Sequence, residues 1–196
     1  MKILVACEFS GIVRDAFTKR GHDAMSCDLL PTESPGKHYR GDVLDIINDG
    51  WDMMIAHPPC TYLANSGVQH LHKSFKRWEL LDNAWEFFYK LYNANIPKIC
   101  IENPIPHSYS KLPAYTQIIQ PYMFGHEVMK KTCLWLKNLP ELKPTNMVSQ
   151  GKKYIGKDGK SNGSLWYQIL TPGKDRWKIR STTFIGIAEA MSQQWG

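Results

Sequence analysis

Four short apolar runs, each closed by a polar or acidic residue, constrain this chain more than any other feature. Ile3 to Cys7 stops at Glu8-Phe9-Ser10-Gly11, and Ala24 to Cys27 stops at Asp28. Met53 to Ala56 runs into His57-Pro58-Pro59-Cys60, and Ile99 to Ile101 into Glu102-Asn103-Pro104. Short runs that are apolar without alternation are those of strands buried on both faces of a parallel sheet. Between the first two, Ile12, Val13, Ala16 and Phe17 recur at helical spacing, which leaves Arg14, Asp15 and Lys19 for solvent and Gly21 as the stop. Trp78, Leu81, Ala84, Trp85, Phe88 and Leu91 give the apolar stripe of a long helix over 78–95. Val43 to Ile47 leads towards a further crossover. The fold expected is α/β, an open, mostly parallel sheet flanked by helices. In such a sheet the ligand crevice lies outside the strand carboxyl ends, so Glu8, Asp28, Cys60 and Glu102 are expected to converge there.

Length and composition bound the rest. The chain of 196 residues can bury one substantial core and is short for two, so residues 1–196 are expected to form a single domain. Its chemistry-bearing motifs fall in 1–110, and 111–196 is less regular. There, Cys133 to Leu136 reads as a later strand and Ile185 to Trp195 as a closing helix. The segment 151–163, with Lys152, Lys153, Lys157 and Lys160 among glycines, reads as an exposed basic loop. The formal charge of +6 and a pI near 9.0 suit a face that attracts nucleic acid or a nucleotide phosphate, and equally a solvated surface. A mean hydropathy of -0.38 and the lack of an apolar run of about 18 residues argue against a membrane span. Glu8 comes too early for a signal peptide. The five cysteines are odd in number and lack C-x-x-C spacing, which reads as reduced thiols of a cytoplasmic protein, with neither a disulfide framework nor a metal cluster.

Particular residues invite chemistry. Cys60 follows two prolines at a strand end, where a rigid backbone can present a nucleophilic thiolate; an inert buried thiol is the alternative. Glu102 can protonate or hydrogen-bond a base ring nitrogen, or cap a helix. Asn103 can contact substrate or organise its loop. In the turn Phe9-Ser10-Gly11, a ring face and a close backbone approach suit an adenosine-containing ligand. Asp28 is placed for ribose hydroxyls and Asp42 for an adenine edge. The glycine series of a dinucleotide fingerprint is missing, and a tight structural turn explains the same residues.

In order, Phe9-Ser10-Gly11, Asp28, Asp42, Pro58-Pro59-Cys60 and Glu102-Asn103 resemble the motifs of the catalytic domain of DNA cytosine-5 methyltransferases. The whole chain also resembles small methyltransferase-like proteins of phages and prophages that lack a large target-recognition domain. The resemblance implies a Rossmann-like methyltransferase fold and S-adenosylmethionine as cofactor, held by Phe9, Ser10, Gly11, Asp28, Asp42 and Pro58. It implies Cys60 as the nucleophile at cytosine C6 and Glu102 as its partner at N3. DNA is the implied substrate, its target base flipped out of the stack. A free cytosine nucleotide is the smaller alternative, and a non-catalytic DNA-binding or host-interaction scaffold is the third. The family's Gln-x-Arg-x-Arg motif is absent. Lys130, Lys131 and Arg180 are its electrostatic substitutes, with Asn103, Lys152, Lys153, Lys157 and Lys160 completing the substrate side. Cys7-Glu8 replaces the usual acidic-apolar pair, and His57 stands where Gly is frequent.

Overall fold

The computed structural model describes residues 1–68, 70–156, 159, 161–170, 173, 174 and 176–196. Lys157 and Lys160 therefore lie outside the described residues. In chain order the elements are β1 (Lys2–Ala6), α1 (Ile12–Thr18), β2 (Asp23–Asp28), β3 (His38–Arg40), β4 (Met53–Ala56), α2 (Asn65–Val68) and α3 (Phe75–Tyr92). They continue with β5 (Lys98–Pro104), β6 (Gln117–Ile119), β7 (Thr132–Lys137), β8 (Lys153–Ile155) and β9 (Ser161–Ser164). The helices α4 (Leu165–Ile169), α5 (Arg176–Ser181) and α6 (Ile185–Trp195) complete the chain.

Seven strands form one sheet in the order β3-β2-β1-β4-β5-β7-β6. Neighbours from β3 to β5 are parallel, and β7 runs antiparallel to both β5 and β6. This is a Rossmann-like α/β sheet, as the apolar runs predict. Side chains alternate between its two faces, since successive strand residues point opposite ways. Leu4, Ala6, Met54, Ala56, Ile99 and Ile101 meet Leu81, Phe88 and Leu91 of α3 on one face. Ile3, Val5, Met53, Ile55 and Cys100 meet α1 and α6 on the other, through Val13, Phe17, Ile187 and Met191. Complete burial of Phe88 and Leu91 contributes about 2–3 kcal/mol each.

Differences from the sequence expectations have local causes. Helix α3 starts at Phe75, a turn before the stripe that reveals it, because its first turn faces solvent. Arg14, expected in solvent, is 1% exposed. Its guanidinium donates to Ser26 Oγ, Thr32 Oγ1 and the carbonyls of Ser34 and Pro35, which ties the β2–β3 connection to α1. Within the segment expected as a basic loop, β8 and β9 pair as an antiparallel hairpin. Strand β5 outlasts its predicted end: Glu102, Asn103 and Pro104 pair with Leu134, Cys133 and Thr132 of β7 after β4 has stopped at Ala56.

Candidate active site

The sheet order reverses between β1 and β4, and a crevice opens beyond the carboxyl ends of strands at such a switch point. Here it is a cleft of about 870 Å³. Phe9, Ser10, Asp28, His57, Cys60, Lys130, Lys131 and Arg180 are among its lining residues.

One wall is built by the turn after β1. Cys7 takes a left-handed backbone, φ 59°, an uncommon conformation for a residue with a Cβ. The chain then bends so that Glu8 N–H donates to the Cys27 carbonyl at 3.0 Å. The Glu8 carboxylate turns back to the start of α1, accepting from Val13 N–H at 2.7 Å and Arg14 N–H at 3.2 Å. It thus performs the capping that Gly11, at the N-cap, has no side chain to provide. Gly11 has φ 75°, and a Cβ there would run into the Arg14 guanidinium. Phe9 turns its ring towards Trp177 of α5, centroids 5.7 Å apart. Asp28 ends β2 and accepts from Leu30 N–H at 2.9 Å. The faces of Phe9, Leu30 and Trp177 around one strand-end carboxylate form a wall that fits an adenosine, an apolar base with ribose hydroxyls to bond.

The opposite wall carries Cys60. The Cys60 carbonyl accepts from Leu63 and Ala64 N–H, so the chain turns immediately after the thiol. Gly67 lies so close beneath that a Cβ there would meet the Thr61 carbonyl. The end of β5 and the segment after it brace this turn. Asn65 N–H donates to the Ile105 carbonyl, His107 N–H to that of Leu63, and Asn103 Nδ2 to that of Pro58 at 3.0 Å. Asn103 and Pro58 are buried and do not line the cleft, whereas Pro59 does. Burial pushes the Cys60 thiol up; Lys130 pulls it down, Glu102 pushes it up and Arg180 pulls it down. Cys7 also lines the cleft, but burial, reinforced by the Asp28 charge, pushes its thiol well above the ordinary value.

At the floor His57 lines the cleft, and its Nδ1 is 2.7 Å from Oε2 of Glu102, which is not a lining residue; the side chains are 11% and 15% exposed. The parallel register explains the meeting. Ala56 pairs with Ile101, so the next step places His57 beside Glu102 on one sheet face. Burial opposes charge on both residues. It would lower His57, but the bond to Glu102 and the charges of Glu102 and Glu8 raise it above its ordinary value. It would raise Glu102, but His57 and, more weakly, Lys130 hold it below the carboxylate range. Glu8 itself is pushed up by burial, against the pull of His57 and its amide bonds.

The remaining expected residues divide by position. Lys130 and Lys131 approach β7, and Lys130 Nζ donates to the Arg180 carbonyl at 2.9 Å, which joins them to Arg180 at one rim. Asp42 lies away from the cleft lining, its carboxylate accepting from Leu44 N–H at 3.0 Å to start a 3-10 turn over Val43–Asp45. Lys152 and Lys153 sit at the exposed hairpin and do not line the cleft. Sequence reasoning treated His57 and Glu8 as departures and did not see Trp177 or Arg77, all of which line the cleft. The signal for His57 was its place directly after β4, opposite an acid directly after the apolar run of β5.

No family model matches the chain, and no curated protein matches it. Among solved structures it is similar to a protein described as a DNA modification methyltransferase encoded within an E. coli prophage. Identity there is 13% and the TM-score 0.48, over 75% of this chain and 51% of that one. It is also similar to the Entamoeba histolytica methyltransferase EhMeth, at 13% identity and a TM-score of 0.45, over 78% of this chain and 57% of that one. The chain thus spans little more than half the length of either structure.

Proposed function

We propose that the protein transfers a methyl group from S-adenosylmethionine to C5 of cytosine in DNA. The observation that carries this reading is one cleft that joins a braced cysteine, Cys60, to His57, whose Nδ1 is bonded to Glu102, on one side and to a wall of Phe9, Leu30 and Asp28 on the other. Cys60 attacks C6 of the base, and electron density moves onto the ring towards N3 and C5. Glu102 stabilises that shift by controlling a proton at N3. Phe9, Ser10, Leu30, Asp28 and Trp177 would hold the cofactor, which when bound would supply an electrophilic methyl group. Loss of the C5 proton to water in the cleft and departure of Cys60 as thiolate then restore the aromatic ring. Lys130, Lys131 and Arg180 place positive charge at the rim, where phosphates of a flipped nucleotide would pass.

The test offers methyl-labelled S-adenosylmethionine with duplex DNA, single-stranded DNA, RNA or dCMP. Label at C5 of cytosine in DNA is the expected result. Label confined to dCMP would transfer the reading to a free nucleotide. DNA binding without transfer to any substrate would leave a binding scaffold and overturn the enzymatic reading.

A further inference from the structure

Beyond the Cys60 wall the cleft opens onto a lip made by two segments, 70–78 leading into α3 and 107–111 after β5. His70 and Arg77 line the cleft together with Asn65, Ser66 and Gly67, so the lip continues that wall outwards. Rings from both segments meet on it. The Trp78 and Tyr109 centroids are 5.5 Å apart, and His72 lies 5.4 Å from Trp78 and 5.6 Å from Tyr109, all edge to face. Tyr109 is carried by a 3-10 turn, Ser108–Ser110, which is pinned at both ends. His107 Nε2 is 2.7 Å from the Tyr62 carbonyl, and Ser110 Oγ donates to the His107 carbonyl at 2.6 Å. Tyr109 is nonetheless 47% exposed, and Phe75, one turn before Trp78 on α3, is 88% exposed. A single exposed ring is ordinary, but a group of rings at the mouth of a cleft marks a contact surface.

The charge around these rings has one sign. Residues 60–78 contain Lys73, Lys76 and Arg77 and no Asp or Glu, and 103–126 contain Lys111 and again no acid. The first acid on α3, Glu79, comes after the ring cluster. Lys73, Lys76 and Lys111 are exposed, and none of these four cations forms an ion pair among the described residues. The Arg77 guanidinium lies over the Tyr62 ring at 5.3 Å, and its buried Nε has no hydrogen-bond partner among the described residues. Exposed rings set among cations without carboxylates fit a nucleic-acid strand whose bases are unpaired, since such bases stack on aromatic faces while their phosphates meet the cations. A paired duplex keeps its base faces covered and has no use for the rings. We propose that this lip is a stacking surface for the unpaired DNA strand next to the target base. The proposal rests on the reading of the cleft as a DNA cytosine site and extends it to the substrate class: single-stranded DNA is bound in preference to a paired duplex. Phe75 and Tyr109 each receive a base, and Trp78 and His72 fix Tyr109 by their edge contacts. Lys73, Lys76 and Lys111 receive phosphates. Because Tyr109 is already held, little side-chain freedom is lost when a base stacks on it.

Equilibrium binding of a fluorescent oligothymidylate to the full chain reads this surface with no cytosine and no methyl transfer involved. A strand of the same length made of abasic sites supplies the phosphates alone. The wild-type protein should bind the oligothymidylate more tightly than either the abasic strand or a duplex of equal length. Phe75→Ala and Tyr109→Ala should each weaken the oligothymidylate about 5- to 150-fold, the loss of one stacked base, and leave the abasic strand unchanged. Phe75→Trp should keep wild-type affinity, because its ring can stack as well. Phe75 is almost fully exposed, so its variants should retain the fold, which circular dichroism checks. Replacing Lys73, Lys76 and Lys111 together by Ala should reduce the slope of log affinity against log salt by about 2. Equal wild-type affinity for the oligothymidylate and the abasic strand, or unchanged affinity in both alanine variants, would overturn the stacking surface. A duplex bound more tightly than the single strand, or an oligouridylate bound more tightly than the oligothymidylate, would overturn the choice of unpaired DNA. Absence of methyl transfer to every cytosine substrate would overturn the C5 reading alone, since the binding measurement needs neither cytosine nor cofactor.

Discussion

His57 Nδ1 lies 2.7 Å from Glu102 Oε2, one register step beyond the last β4–β5 pair, Ala56 with Ile101. The sheet's own geometry therefore makes the contact, with no loop needed to bring the two groups together.

That pair makes stability depend on pH. His57 is raised from 6.5, so its share is full below that value and is lost as pH rises through its higher folded value. Glu102 is lowered from 4.5, so its share is full above that value and is lost as pH falls through its lower folded value. Between these limits Glu102→Gln should cost about 3 kcal/mol, because it leaves a buried imidazole without its counter-charge. Urea unfolding of both proteins over a pH series checks this. A difference that stayed constant across alkaline pH would assign the loss to packing.

Cys60→Ser should keep the fold and cofactor binding, since the Cys60 backbone carbonyl, not its sulfur, holds the turn. Transfer should drop to about a thousandth or less. With DNA containing 5-fluorocytosine, the wild-type protein should form a covalent adduct, because fluorine blocks the final proton loss from C5. Peptide mapping by mass spectrometry should place it on Cys60. An adduct on Cys7, the other thiol in the cleft, would displace the assignment.

Asn103→Ala should act through the Cys60 turn. It deletes the donor to the buried Pro58 carbonyl and should cost about 1–3 kcal/mol of stability. Cofactor affinity, measured by calorimetry, should be unchanged, since Asn103 does not line the cleft. Equal losses in cofactor binding and in transfer would show that the damage spreads beyond the turn.

Asp28→Ala tests the opposite wall. Its carboxylate accepts from Leu30 N–H, and Asp28 lines the cleft. Calorimetric titration should show S-adenosylmethionine and S-adenosylhomocysteine binding about 10- to 100-fold more weakly, the loss of charge-assisted bonds to ribose. Asp42→Ala should leave that affinity unchanged and weaken only the 3-10 turn it caps. A loss with Asp42→Ala would return the adenine edge to Asp42, which the sequence resemblance implies alongside Asp28 at the ribose.

How much of this was legible in the sequence depends on how local each signal is. Strands β1, β2, β4, β5 and β7 announce themselves as apolar runs because the sheet buries both of their faces. Cys60 could be placed beyond the end of β4 for the same reason, whereas Glu102, expected just beyond β5, lies within it. The partnership of His57 with Glu102 could not be seen, because it depends on the register between two strands separated by the whole of α3. Arg14 looked like a solvent residue because its partners are mainly hydroxyls and carbonyls of a distant connection, which carry no charge pattern. Strand β3 spans only three residues at a sheet edge, too short for any periodicity. Helix α5 was missed because its apolar residues, Trp177 and Ile179, are half exposed and mark no core-facing stripe.

The bracing of the Cys60 turn by the end of β5 and the segment after it has a mechanical consequence. Four hydrogen bonds, from the amides of Asn65 and His107, from Asn103 Nδ2 and from His107 Nε2 to the Tyr62 carbonyl, join the carrier of the thiol to the carrier of the acid. Any tilt or breathing of the flanking helices therefore moves both reactive groups together and leaves the spacing between them unchanged. The far wall is tied to the sheet by backbone, through Glu8 N–H to the Cys27 carbonyl and Glu33 N–H to the Phe9 carbonyl, and α5 is joined to it by side chains, through the Phe9–Trp177 ring contact and the Lys178–Glu33 ion pair at 2.9 Å. A molecule entering the cleft thus meets a jaw of fixed gauge on one side and, on the other, a wall whose outer part at α5 rests on side-chain contacts. Adaptation to cargo size falls to α5.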